Sequence, residues 1–65
     1  MTDLRLVMKV AVWSQDHDWE LEYQFAQIYR GAKDTGYGWE SVQESSPELF
    51  IKAVELARKH IDRVS

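Results

Sequence analysis

Asp16, Asp18, Glu20 and Glu22 occupy every second position of one stretch, and Trp19, Leu21, Tyr23 and Phe25 interleave with its later part. A strand, with its period of two, sends all four carboxylates to one side and the four large apolar groups to the other. A helix scatters the carboxylates around its axis. One local choice therefore decides whether the chain carries an acidic row.

The preceding segment favours the strand. Leu4, Leu6, Met8, Val10 and Val12 alternate with Arg5, Val7, Lys9, Ala11 and Trp13, and the run is rich in β-branched residues. Ser14-Gln15-Asp16-His17 reads as a hairpin loop, with side chains that satisfy local backbone groups. A loop there pairs Val12 with Trp19, Val10 with Leu21, Met8 with Tyr23 and Leu6 with Phe25, so every inward pair is apolar. On the other face Lys9 meets Glu22, and a slip of one residue destroys the whole arrangement. A helical pattern competes. Asp18, Leu21, Phe25, Ile28 and Ala32 recur at helical spacing, Ser14 or Asp16 offers a cap, and Gly31 offers a C′ residue. The hairpin pairing selects the strand, with a bulge near Ala26-Gln27 where the phase slips.

Residues 31 to 36 read as a turn in which glycines supply positive φ, and residues 37 to 43 as a third strand with Tyr37 and Trp39 on one side. Ser46-Pro47-Glu48 is a helix start: Ser at the N-cap, Pro at the first helical position, an acid in the first turn. The helix then runs to about Arg63. Phe50, Ala53, Val54, Ala57, Ile61 and Val64 form its apolar stripe, widened by Leu49 and Leu56. The expected fold is α+β, a three-stranded antiparallel sheet with one C-terminal helix (βββα), in a single domain spanning residues 1–65. The runner-up is βαβα with residues 15 to 30 helical.

At 65 residues such a domain buries only about 60% of the surface its unfolded chain exposes, and no cysteine staples it. Three Trp, three Tyr and two Phe compensate. A net charge of −3 argues against direct nucleic-acid binding and against an anionic membrane surface, and favours a basic protein partner. No signal peptide or membrane span is expected, and the absence of cysteine suits the cytoplasm.

Catalysis is not expected. Asp16-His17-Asp18 is the nearest approach to a metal or acid–base cluster, but adjacent strand residues point opposite ways and no fourth ligand stands out. His60 reads as a boundary residue beside the helix stripe. Ser14, Ser41, Ser45 and Ser46 are the available hydroxyls, and Ser46 is accounted for by its cap. A shallow sheet also offers little pocket volume. No metal and no cofactor is expected.

The sheet's outer face carries the functional expectation. Carboxylates two apart on a strand stand ~6.6–6.8 Å apart, close to the spacing of successive phosphates in a nucleic acid. A row of Asp16, Asp18, Glu20 and Glu22 therefore suits a basic groove, with Trp13, beside Val7 and Ala11, as an apolar anchor. Lys9 partly neutralises Glu22 and Asp16 lies in the loop, which leaves Asp18 and Glu20 most free. This describes a non-enzymatic, protein-binding inhibitor. The alternative is a small homodimeric structural or antitoxin-like module, joined through the sheet edge or Trp13, so monomer and homodimer are both open.

In its small size, lack of cysteine, acidity and D-H-D-W-E-L-E-Y run, the chain resembles phage anti-CRISPR inhibitors. That resemblance implies binding to a CRISPR effector complex in the host cytoplasm, blocking its access to DNA. Because those inhibitors share no common fold, it transfers no residue. Separately, W-E-S-V-Q-E-S-S-P-E-L-F-I-K-A is similar to a strand-to-helix junction of small βββα modules, some antitoxins among them.

Overall fold

Thr2 opens the first helix. Its hydroxyl accepts the backbone N–H of Arg5 at 3.2 Å, satisfying one of the donors a helix start leaves unpaired. From there α1 spans Asp3–His17. Val7, Val10, Ala11 and Ser14 follow the i, i+3, i+4, i+7 spacing of one helix face, and all four are buried. Ser14 adds a polar group to that face at little cost, because its hydroxyl donates to the carbonyl of Ala11 at 2.6 Å.

A single residue then reverses the chain. Asp18 ends α1 by donating its N–H to the Ser14 carbonyl, and starts α2 (Trp19–Gly31) by accepting the Leu21 N–H on its carboxylate at 3.1 Å. Glu20 and Glu22 sit in the first turn of α2 and Arg30 in the last, as the helix dipole favours. Leu21 and Phe25 are buried, and Ile28, Tyr29 and Ala32 pack against them. Residues 32 to 38 form a loop. Its last residue, Gly38, has φ 72°, the left-handed region that a side chain disfavours. The short α3 (Trp39–Ser45) follows, and after Ser46 comes α4 (Pro47–Val64). The structure, a computed structural model, describes residues 1–64.

Helix α4 packs chiefly against α1, and also against α2 and α3. The core lies between them: Val7 and Val10 from α1, Leu21 and Phe25 from α2, Val42 from α3, and Phe50, Ala53, Val54 and Ala57 from α4. The radius of gyration is 10.6 Å, against ~10.7 Å expected for a folded chain of this length. No helix among the described residues is long and apolar enough to cross a membrane.

The expected α+β sheet is overturned. Four helices and no strand occur among the described residues, so both βββα and the βαβα runner-up fall, although α2 covers most of the stretch that the runner-up makes helical. The reason lies in the surplus of apolar residues. Residues 4 to 13 are apolar along the whole of one alternating face and at Val7, Ala11 and Trp13 of the other, and such a run satisfies a period of two and a period of 3.6 together. The same surplus makes the hairpin pairs look matched in whichever period they are read. In the fold, Val10 and Leu21 are buried while Val12, Trp19, Met8 and Tyr23 are exposed. Residues 14 to 17, expected as a loop, complete α1, and the bulge expected near Ala26-Gln27 is unbroken helix. The third strand fails at Gly38, after which α3 begins. Gly31 is the last residue of α2, and Gly38 is the one glycine with positive φ among the described residues. The C-terminal helix starts at Pro47, and its buried residues belong to the expected stripe.

Candidate functional site

Helices α1 and α2 run back from Asp18 and leave a groove between them of about 450 Å³. Ala11, Val12 and Gln15 line one wall, and Glu22, Phe25, Ala26, Tyr29 and Arg30 the other. Gly38 and Trp39 complete it. The indole of Trp39 meets Tyr29 edge-on at 5.2 Å between centroids and Phe25 at 5.9 Å, so the groove has an aromatic lining with fixed geometry. The groove is about half open to solvent, in place of the shallow sheet face expected from the sequence.

The loop that carries Gly38 is held by three serines. Ser46 Oγ accepts the N–H of Lys33 at 2.8 Å, Ser45 Oγ accepts that of Asp34 at 3.1 Å, and Ser41 Oγ accepts that of Tyr37 at 2.7 Å. Tyr29 completes the clamp by donating its hydroxyl to the Thr35 carbonyl at 3.0 Å. These contacts fix the loop on α3 and the head of α4, and so place Trp39 beside Tyr29. They join residues up to 13 apart in the chain, which local turn rules do not anticipate.

Four large apolar side chains of α1 and α2 are exposed. Trp19 is 75% exposed, Val12 61%, Tyr23 55% and Met8 46%. Met8 and Val12 are four apart on α1, and Trp19 and Tyr23 four apart on α2, so each pair stands on one face of its helix. Trp19 also lies three residues before Glu22, and Tyr23 three before Ala26, which ties their face to the groove wall. Isolated exposed apolar side chains are ordinary, but four on one two-helix surface form a patch.

The four expected carboxylates do not form a row. At 100° per residue, Glu20 and Glu22 point about 160° apart around α2. Asp18 is engaged in the fold. Its carboxylate accepts from Arg63 Nη1 at 2.8 Å as well as capping α2. The hydrogen bond from Arg63 holds its pKa below the ordinary carboxylate value, helped by the Leu21 N–H and opposed by partial desolvation. Asp16, Glu20 and Glu22 are exposed and make no salt bridge among the described residues, so an acidic corner survives where the row does not. Lys9 and Glu22, expected to pair, are on different helices and form no salt bridge.

Trp13 is half-buried rather than free. Its ring stacks on His17 at 4.7 Å, with 2° between the planes, and the Arg63 guanidinium lies 5.1 Å from its centroid. His17 Nδ1 donates to the Trp13 carbonyl at 2.9 Å. Arg63 Nη1 also approaches His60 Nδ1 at 3.2 Å, and because a guanidinium has only donors, that nitrogen accepts. Arg63 is therefore the hub that joins α4 to the α1–α2 corner, a role invisible in the sequence, where it reads as a cation suited to the helix dipole. No group of three or more His, Cys, Asp or Glu among the described residues has the arrangement of a metal site. No protein-family model, curated protein or solved structure matches the chain.

Proposed function

We propose that this chain is a non-enzymatic protein-binding module that works by occupying another protein's surface, as an inhibitor does, through the outer face of α1 and α2. The observation that carries this reading is the exposure of Met8, Val12, Trp19 and Tyr23 beside a groove lined by Phe25, Tyr29 and Trp39. The apolar groups supply contact area, and the acidic corner of Asp16, Glu20 and Glu22 orients a basic counterpart on the partner. This differs from nucleic-acid mimicry by a strand, which the helices remove. A CRISPR effector complex is the target that the resemblance in size and charge implies, and neither groove nor patch bears on it. The cysteine-free composition fits a cytoplasmic setting.

The test compares two surface variants with the wild type, each immobilised and exposed to a lysate of the source cell. Val12→Arg combined with Trp19→Arg disrupts the proposed face. Ile51→Arg alters an exposed apolar residue on α4 and serves as the control. With helicity unchanged by circular dichroism, the double variant is expected to lose the proteins that wild type and Ile51→Arg both retain. Equal retention by all three sinks the proposal.

A further inference from the structure

The charges on the α1–α2 face are sorted by end. Arg5 and Lys9 lie on the first half of α1, and Arg30 at the end of α2, which returns beside that half. Asp16 lies at the other end of α1, with Glu20 and Glu22 at the start of α2. All six are exposed and make no salt bridge among the described residues. On the α1 stripe Arg5 and Lys9 thus stand at one end and Asp16 at the other, and on the groove wall of α2 Arg30 and Glu22 likewise stand at opposite ends.

Asp3 in the first turn of α1 and His17 in the last suit the helix dipole, whereas Arg5 near its start and Asp16 near its end do not, so the dipole does not explain the placing of these two. Arg5, Met8, Lys9, Val12 and Asp16 share an arc of about 100° on the solvent side, at the i, i+3, i+4, i+7, i+11 spacing of a helix-packing stripe. Val12 is its centre. Asp16 lies ~6 Å along the axis on one side of Val12, and Lys9 ~4.5 Å on the other.

We infer that in the free protein this face is covered by a second copy of the same chain, packed antiparallel about a two-fold axis near Val12, which a target protein must displace. A two-fold contact uses the same patch on both partners, so the patch must complement itself. An axis at Val12 places Val12 against its own counterpart and sets Asp16 of each copy beside Lys9 of the other. Trp19 and Tyr23 extend the contact along α2, where Arg30 of one copy faces the acidic corner of the other. This inference rests on reading the α1–α2 face as an interaction surface, and names what covers it.

Sedimentation equilibrium on the full chain, from about 10 µM to about 1 mM, tests it. The mass is expected to rise from 7.7 kDa toward twice that value with concentration, and to fall back as salt is added. Combined in one chain, Asp16→Lys makes the α1 stripe basic at both ends and Glu22→Lys removes the acid on the α2 wall, whereas Arg5→Glu with Lys9→Glu makes the α1 stripe acidic throughout. Each double variant is expected to weaken self-association at least about tenfold. Mixing the two in equal amounts is expected to restore a two-chain species containing one of each, which loss of folding in either variant would not produce. A wild type that stays at the mass of one chain throughout overturns the inference. So does a double variant that associates like the wild type, or a mixture that fails to recombine. A monomeric wild type together with retention lost in Val12→Arg/Trp19→Arg would remove the second copy and leave the interaction face standing.

Discussion

Helix α4 and the α1–α2 hairpin treat their apolar residues differently. In α4, Phe50, Ala53, Val54 and Ala57 are buried and Leu49, Leu56, Ile61 and Val64 are half-buried, so Ile51 is the one large apolar side chain left exposed. Its supply of apolar groups matches what the core takes. The hairpin has more than the core takes. After Val7, Val10, Ala11, Leu21 and Phe25 are buried, Met8, Val12, Trp19 and Tyr23 remain in solvent. An element whose apolar residues fit its buried stripe is explained by folding alone. The hairpin's excess needs another explanation, and contact with a partner supplies one.

Two neighbours inside the hairpin differ most in what their loss costs. Leu21 is 1% exposed and Trp19 is 75% exposed, two positions apart. Leu21→Ala is expected to cost ~2–5 kcal/mol, a large share of the roughly 3–10 kcal/mol available to a domain of this size. Trp19→Ala is expected to stay within ~0.5 kcal/mol. Urea unfolding followed by circular dichroism measures both. In a strand these two residues would share one buried face, so comparable losses would argue against the helical hairpin.

The next effect contrasts the two ends of the molecule. At the loop end, Ser46 is buried and its hydroxyl receives the Lys33 N–H. Ser46→Ala leaves that donor without its acceptor at the head of α4, at an expected cost of ~1–3 kcal/mol. Hydrogen exchange provides the local readout, with the Lys33 amide expected to lose protection. An unchanged Lys33 amide would mean that the serine clamp does not hold the loop.

The same contrast explains what was legible in the sequence. The start of α4 was legible because Ser46-Pro47-Glu48 signals a helix start locally and one stripe accounts for its apolar residues. The hairpin was misread because Met8, Val12, Trp19 and Tyr23, which the core leaves outside, are the residues that completed the strand-like alternation. The sequence offered Ser14 or Asp16 as a helix cap, a signal that the apparent cross-strand pairing outweighed, and the residues that cap α1 and α2 are instead Thr2 and Asp18. Of the expected site residues, Asp16, Glu20 and Glu22 remain accessible, while Asp18 and Trp13 are taken up by Arg63, 45 or more positions away. No local pattern announces a contact of that range.

The Asp18–Arg63 contact gives the smallest expected effect, because it is partly exposed and screened by solvent. Asp18→Asn separates its two jobs, since Asn is a good N-cap but carries no charge for Arg63. The folded-state pKa of Asp18 is lowered, chiefly by the Arg63 hydrogen bond. Its charge therefore adds stability above the ordinary carboxylate pKa of about 4, and that contribution disappears as pH falls through the lower folded value. The wild type is expected to melt slightly above Asp18→Asn at neutral pH, and the gap to close progressively below about pH 4. Thermal melts across that range read it directly. A gap that persists unchanged under strong acid would assign the Asp18 effect to the cap and remove Arg63 as the charge that secures α4 to the hairpin corner.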